Sequence, residues 1–218
     1  MTFADFVKVY EEDIRLRLKE STWQSKENII KTKLIPHFGG KVVSEIKAAD
    51  VIAWHNEMLR HRTAEGKAFS QTYLKTLHNQ LSTIFNHAVR FYDLSTNPAR
   101  KAGNIGSGKG PEMKFWTREE YLKFSISMMD KPLSYYAFQV LYWCGVREGE
   151  LLALTKDDFD FEKQILSIRK SYQRIGRRDV ITDPKTAKSK RFIKMPAFLC
   201  EEMQEYFNML HGQYASRY

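Results

Sequence analysis

Cys144-Gly145-Val146-Arg147-Glu148-Gly149-Glu150-Leu151-Leu152-Ala153-Leu154 sets an arginine and a glutamate three residues apart at a junction marked by glycine. The apolar stretch before it, 133–145, predicts a helix, and glycine is the residue that most readily ends one. An arginine held at such a junction can present a planar fork of donors to phosphate oxygens. A carboxylate one helical turn later can hold that fork or share a proton network with it. The device suits phosphodiester transfer, where negative charge develops on phosphate oxygens. The same spacing also serves an ordinary i, i+3 salt bridge at the start of an amphipathic helix, and residue types alone do not separate the two readings.

Downstream of this stretch the hydrophobic period changes. After the acidic run Asp157-Asp158-Phe159-Asp160, the segments 164–168, 179–182 and 191–195 read as extended and predict a small antiparallel sheet. Pro196 ends the last of them, and 197–210 returns to helical spacing through Leu199, Met203, Phe207 and Leu210. Between the strands, Asp183-Pro184-Lys185-Thr186-Ala187-Lys188-Ser189-Lys190-Arg191 is strongly basic. By composition it is a solvated hairpin that touches a polyanion's backbone. Upstream, Thr117-Arg118-Glu119-Glu120 has the spacing of a capping box, so the domain containing these elements begins near Phe115.

Before that point the pattern is helical throughout. Phe6, Val7, Tyr10, Ile14 and Leu18 lie on one stripe, and Trp23, Ile29, Ile30 and Leu34 on another. Ile35-Pro36-His37-Phe38-Gly39-Gly40 predicts a loop, because proline and paired glycines end helices. A third helix from about Asp50 packs Val51, Ile52, Trp54 and Leu59. A fourth, capped by Ser70, carries Leu74, Leu77, Leu81, Ile84, Phe85, Ala88 and Val89. Asn97-Pro98 closes this four-helix bundle. Residues 99–113 hold four glycines together with Arg100, Lys101 and Lys109, and predict a basic linker. The expected organisation is therefore a helical domain over 1–98, a linker over 99–114 and a mixed domain over 115–218; the class is mainly α, α+β overall.

Thirty-five Lys and Arg against twenty-six Asp and Glu give a formal charge of +9 in 218 residues, which nominates a polyanionic partner. Cys144 and Cys200, the only two cysteines, have no paired spacing and sit in apolar helical contexts, so neither a metal site nor a disulfide framework is expected. The N-terminal stretch has acids from its fifth residue and no uninterrupted apolar run, the pattern of neither a signal peptide nor a membrane anchor. A cytoplasmic location without membrane association is the expectation.

Gly145-Val146-Arg147-Glu148-Gly149-Glu150-Leu151 resembles the Gly-Leu-Arg-x-x-Glu-Leu-like motif of the tyrosine recombinases, the phage-integrase family. The run from Asp183 to Pro196 is similar to the Pro-Lys-Thr hairpin and following strand of phage and conjugative-transposon integrases. Thr22-Trp23, Ile35-Pro36-His37-Phe38-Gly39, Phe85-Asn86-His87-Ala88-Val89 and Asn97-Pro98 resemble, in that order, their core-binding domain. Together these matches cover nearly the whole chain.

The resemblance implies a four-helix SAM-like core-binding domain followed by part of a mixed catalytic domain. It implies a site-specific recombinase that cuts and rejoins duplex DNA through a 3′-phosphotyrosyl intermediate, integrating or excising a mobile element. Arg147 resembles the first catalytic arginine, Glu150 its acidic companion, and Lys185 the hairpin lysine that protonates the leaving oxygen, with Lys188 and Lys190 as rival positions. Arg100, Lys101, Lys109, Lys188, Lys190 and Arg191 are the expected DNA contacts. No cofactor and no metal is expected, the partner is duplex DNA at attachment-type core sites, and the full-length protein is expected to assemble as a tetramer. The family's His-x-x-Arg motif and its nucleophilic tyrosine are not recognisable here, so the nucleophile is expected outside this chain and the chain alone is expected to be inactive. A non-catalytic DNA-binding regulator derived from an integrase is the alternative.

Overall fold

Thr2 opens the first helix of the computed structural model, its side chain accepting from the Asp5 N–H at 3.2 Å. Helix α1 (Phe3–Ile14) then buries Phe3, Phe6, Val7 and Tyr10 along one stripe. The structure describes residues 1–108, 110, 112–184 and 189–215. They fall into two compact units, Met1–Met113 and Lys114–Tyr218.

In the first unit, α2 (Glu20–Ile29) runs through a five-residue π turn, Ile30–Leu34, directly into α3 (Ile35–Phe38). The expected loop at 35–40 is thus confined to Gly39 and Gly40. The physical reason is the wide turn. Pro36 cannot donate to an i−4 carbonyl and would clash with it, and widening the turn ahead of the proline relieves both problems. A carbonyl of that turn, Lys33 C=O, also accepts from the Trp54 indole N–H at 3.0 Å.

Helix α4 (Ala48–Arg60) supplies Trp54 and also buries Val51, His55 and Met58. Ile52 and Leu59, expected in the interior, are about half exposed because the buried stripe runs through 51, 54, 55 and 58. Ser70 caps α5 (Gln71–Phe91) as expected, and its Leu74, Leu77, Leu81, Ile84 and Phe85 form the centre of the unit's core. Val89, by contrast, is exposed.

Asn97 caps α6 (Pro98–Ala102) and ties it to α5, donating to Ser82 C=O at 3.0 Å and Asn86 Oδ1 at 2.8 Å. Ala99 and Ile105 are buried in the same core. Residues 99–105, expected in the linker, therefore pack with the first unit, which runs to Met113.

The second unit opens with the expected capping box at Thr117 and Glu120, followed by α7 (Arg118–Ile126). Helix α8 (Pro132–Cys144) ends at Gly145, whose φ of +59° is the left-handed geometry that favours glycine at a helix C-terminus. After α9 (Glu148–Leu151), the strands β1 (Phe159–Asp160), β2 (Ile165–Ile168) and β5 (Arg191–Lys194) form one antiparallel sheet in the order β1-β2-β5. A separate hairpin pairs β3 (Ser171–Ile175) with β4 (Arg178–Thr182). The segment 179–182, expected in the same sheet as 164–168, belongs instead to this hairpin.

Helix α10 (Ala197–Ala215) lays Leu199, Cys200, Met203 and Tyr206 into one core with Leu166 and Ile168 of β2 and Val140 and Cys144 of α8. Among the described residues no helix is long and apolar enough to cross a membrane.

Candidate active site

The chain leaves α8 through the left-handed turn at Gly145, buries Val146 in the second unit's core, and reaches Arg147 in extended conformation at the N-terminus of α9. Glu150, three residues on, reaches back along the helix. Its Oε2 accepts from the Arg147 backbone N–H and its Oε1 from the Arg147 guanidinium, both at 2.9 Å. Gly149 sets how deeply α9 sits against β3. A Cβ there would lie 2.8 Å from both the Tyr172 carbonyl oxygen and Ser171 Oγ.

A second arginine arrives from β5. Arg191, paired with Ile168 in the sheet, donates to Glu150 Oε1 at 2.9 Å and Oε2 at 2.8 Å, a two-pronged contact, and reaches Ser189 C=O at 3.3 Å. Glu150 thus accepts four hydrogen bonds while its side chain is only 5% exposed; that of Arg147 is 75% exposed and that of Arg191 31%. Arg191's hydrogen bonds, opposed by burial and aided by Arg147, bring the Glu150 carboxyl down to about 2 from 4.5. Arg191 is in turn pushed up by Glu150.

One carboxylate shared by two guanidiniums leaves the cluster with a net positive charge, and that charge projects to solvent at Arg147. Planar guanidiniums match phosphate oxygens in pairs, so the arrangement is that of an anion site with one exposed arm and a rigid base. A buried ion pair is weak evidence of stabilisation, since desolvation offsets most of its attraction. What this one provides is orientation. Nearby, Asp158 stiffens the acidic turn after α9, accepting from the Thr155 N–H at 2.8 Å and pairing with Lys170 at 3.0 Å.

The structure therefore joins Arg147 and Glu150, as the spacing predicted, and adds Arg191, which sequence reasoning had placed among the DNA contacts. The missed signal was a requirement for charge: a glutamate sunk beneath an exposed arginine needs a second, less exposed cation. Lys190 stands beside Asp183 at 3.1 Å on the surface. Arg100 and Lys101 are exposed on the last turn of α6 in the first unit. Lys185, Lys188 and Lys109 lie outside the described residues.

Residues 2–59 match the family model described as phage integrase, N-terminal SAM-like domain. The whole chain is similar to the ICEBs1 integrase of Bacillus subtilis (strain 168), with 25% identity over 231 residues and 61% of that protein covered. Ninety per cent of it is similar to a tyrosine recombinase XerC-like protein of Caldanaerobacter subterraneus subsp. tengcongensis, at 29% identity, covering 52% of the relative. Among solved structures, the Tn1549 transposon integrase in complex with transposon right end DNA superposes with a TM-score of 0.76 at 23% identity, over 95% of this chain and 65% of that one. The chain thus spans between half and two thirds of the length of these relatives.

Proposed function

We propose that this chain, similar along its length to phage integrases and tyrosine recombinases, is a tyrosine recombinase's DNA-gripping and phosphate-orienting part, acting on duplex DNA at attachment-type core sites in the cytoplasm. The observation that carries this reading is the Arg147–Glu150–Arg191 cluster, with its exposed guanidinium braced from beneath. In the reaction a tyrosine outside this chain attacks the scissile phosphate. A tyrosyl oxygen–phosphorus bond forms at the 3′ side, the bond from phosphorus to the 5′-oxygen breaks, and that oxygen takes a proton. Arg147 stabilises the charge on the non-bridging oxygens as the phosphorus becomes five-coordinate. Lys185 is the proposed proton donor to the 5′-oxygen. The longer protein is proposed to assemble as a tetramer on paired sites.

Affinity comes chiefly from phosphate contacts made by Arg100, Lys101, Lys109, Lys188 and Lys190. Lys190 can exchange Asp183 for a phosphate at little cost, because its present pair is exposed. Five such contacts predict that affinity of this chain for duplex DNA falls about 500-fold between roughly 50 and 200 mM salt. Titration of labelled duplex at several salt concentrations measures this. A helical protein-interaction module with an incidental basic surface would bind negligibly or with a shallow salt slope, and that result would overturn the reading.

A further inference from the structure

We propose that Arg191 is a positioning residue for this reaction: it holds Glu150 as a fixed anionic bracket, and Glu150 in turn aims the Arg147 guanidinium. The inference rests on the recombinase reading and gives Arg191 a role distinct from touching DNA. Three observations carry it. Arg191 commits both terminal guanidinium nitrogens to the two oxygens of Glu150. Glu150 bridges Arg191 to Arg147, because the same oxygens accept from Arg147's backbone N–H and side chain. And Arg191 is fixed by the register of β5 on β2, directly after the basic segment that carries Lys185. Setting strand β5 therefore sets the bracket.

Among the described residues, the charged groups facing Glu150 are Arg191 from β5 and Arg147 from the α8–α9 junction; β3, against which α9 packs, brings Ser171 and Tyr172 beside Gly149. Without Arg191, the carboxyl keeps its burial but loses its principal cation. It then binds a proton at a higher pH and, once neutral, grips Arg147 less firmly. Replacing a group that orients another catalytic group costs about 10- to 100-fold in activity in comparable metal sites.

Two measurements on Arg191→Met, Arg191→Lys and Arg191→Met/Glu150→Gln test this. In the 218-residue chain, carboxyl NMR follows Glu150 against pH while the Arg147 Nε signal reports its environment. Arg191→Met is expected to raise the Glu150 titration by roughly 1–3 pH units and shift the Arg147 signal; Arg191→Lys is expected to restore part of both. In the longer recombinase, formation of the covalent DNA adduct should acquire an acid limb in Arg191→Met that is absent in the parent and disappears in the double variant. A merely structural Arg191 would instead lower the rate by the same factor at every pH, and that outcome, or an unmoved Glu150 titration, overturns the proposal. If the parent forms no adduct at all, the recombinase reading fails separately, and the two NMR signals still decide whether Arg191 positions Arg147.

Discussion

Two buried polar clusters, one in each unit, solve the cost of burial in opposite ways. In the first, His55 Nε2 and His78 Nδ1 meet at 3.0 Å between α4 and α5, both imidazoles below 8% exposure. Burial, and to a lesser extent His78, hold His55 down to about 4, so the pair is neutral and shares one hydrogen bond. In the second, Glu150 is buried fully charged because two arginines surround it. The histidine pair points inward and leaves nothing reactive outside. The glutamate cluster has an exposed arm. Burying a neutral pair joins helices; burying a charge beneath an exposed guanidinium prepares a surface to receive an opposite charge.

The contrast breaks most readily with acid. His55 has a folded pKa below its ordinary 6.5, so its contribution to stability is complete above pH 6.5 and is lost as pH falls towards 4. The loss amounts to roughly 3 kcal/mol in the first unit. Glu150 also has a depressed pKa, but its contribution holds down to about pH 4.5 and goes only as pH falls towards 2. Hydrogen exchange between pH 7 and 4.5 should therefore weaken amide protection in α4 and α5 while sparing α8 and α10. Equal loss in both units would erase the distinction.

A smaller effect sharpens it. Gly149→Ala places a methyl against the Tyr172 carbonyl and must push α9 off β3. The expected cost is about 1–3 kcal/mol in the melting of the second unit alone, with a displaced Arg147 signal. A variant that melts like the parent would mean that the seat of α9 is softer than its geometry implies.

How far these two regions could be read beforehand differs as well. Arg147 and Glu150 were legible because one helical turn separates them, and the glycine before them marks where α8 stops. Arg191 was not, because 41 residues intervene and its own surroundings read only as a strand after a basic hairpin. In the first unit, the apolar rhythm of α5 is legible almost whole, whereas Pro36 signals a break that the π turn removes by letting the helix continue into it. The strands β1 and β3 escaped notice for a plainer reason: one is two residues long, and the other is mostly polar on a hairpin with little core to bury.

In the proposed function, the braced guanidinium serves chemistry on DNA rather than affinity for it. The direct measurement is covalent-adduct formation and duplex affinity side by side in the proposed longer recombinase, parent against Arg147→Ala. The account predicts that the variant loses cleavage by at least about 100-fold, the scale on which single charge-stabilising donors act, while its affinity changes little. Cleavage at the parent rate in Arg147→Ala would contradict it.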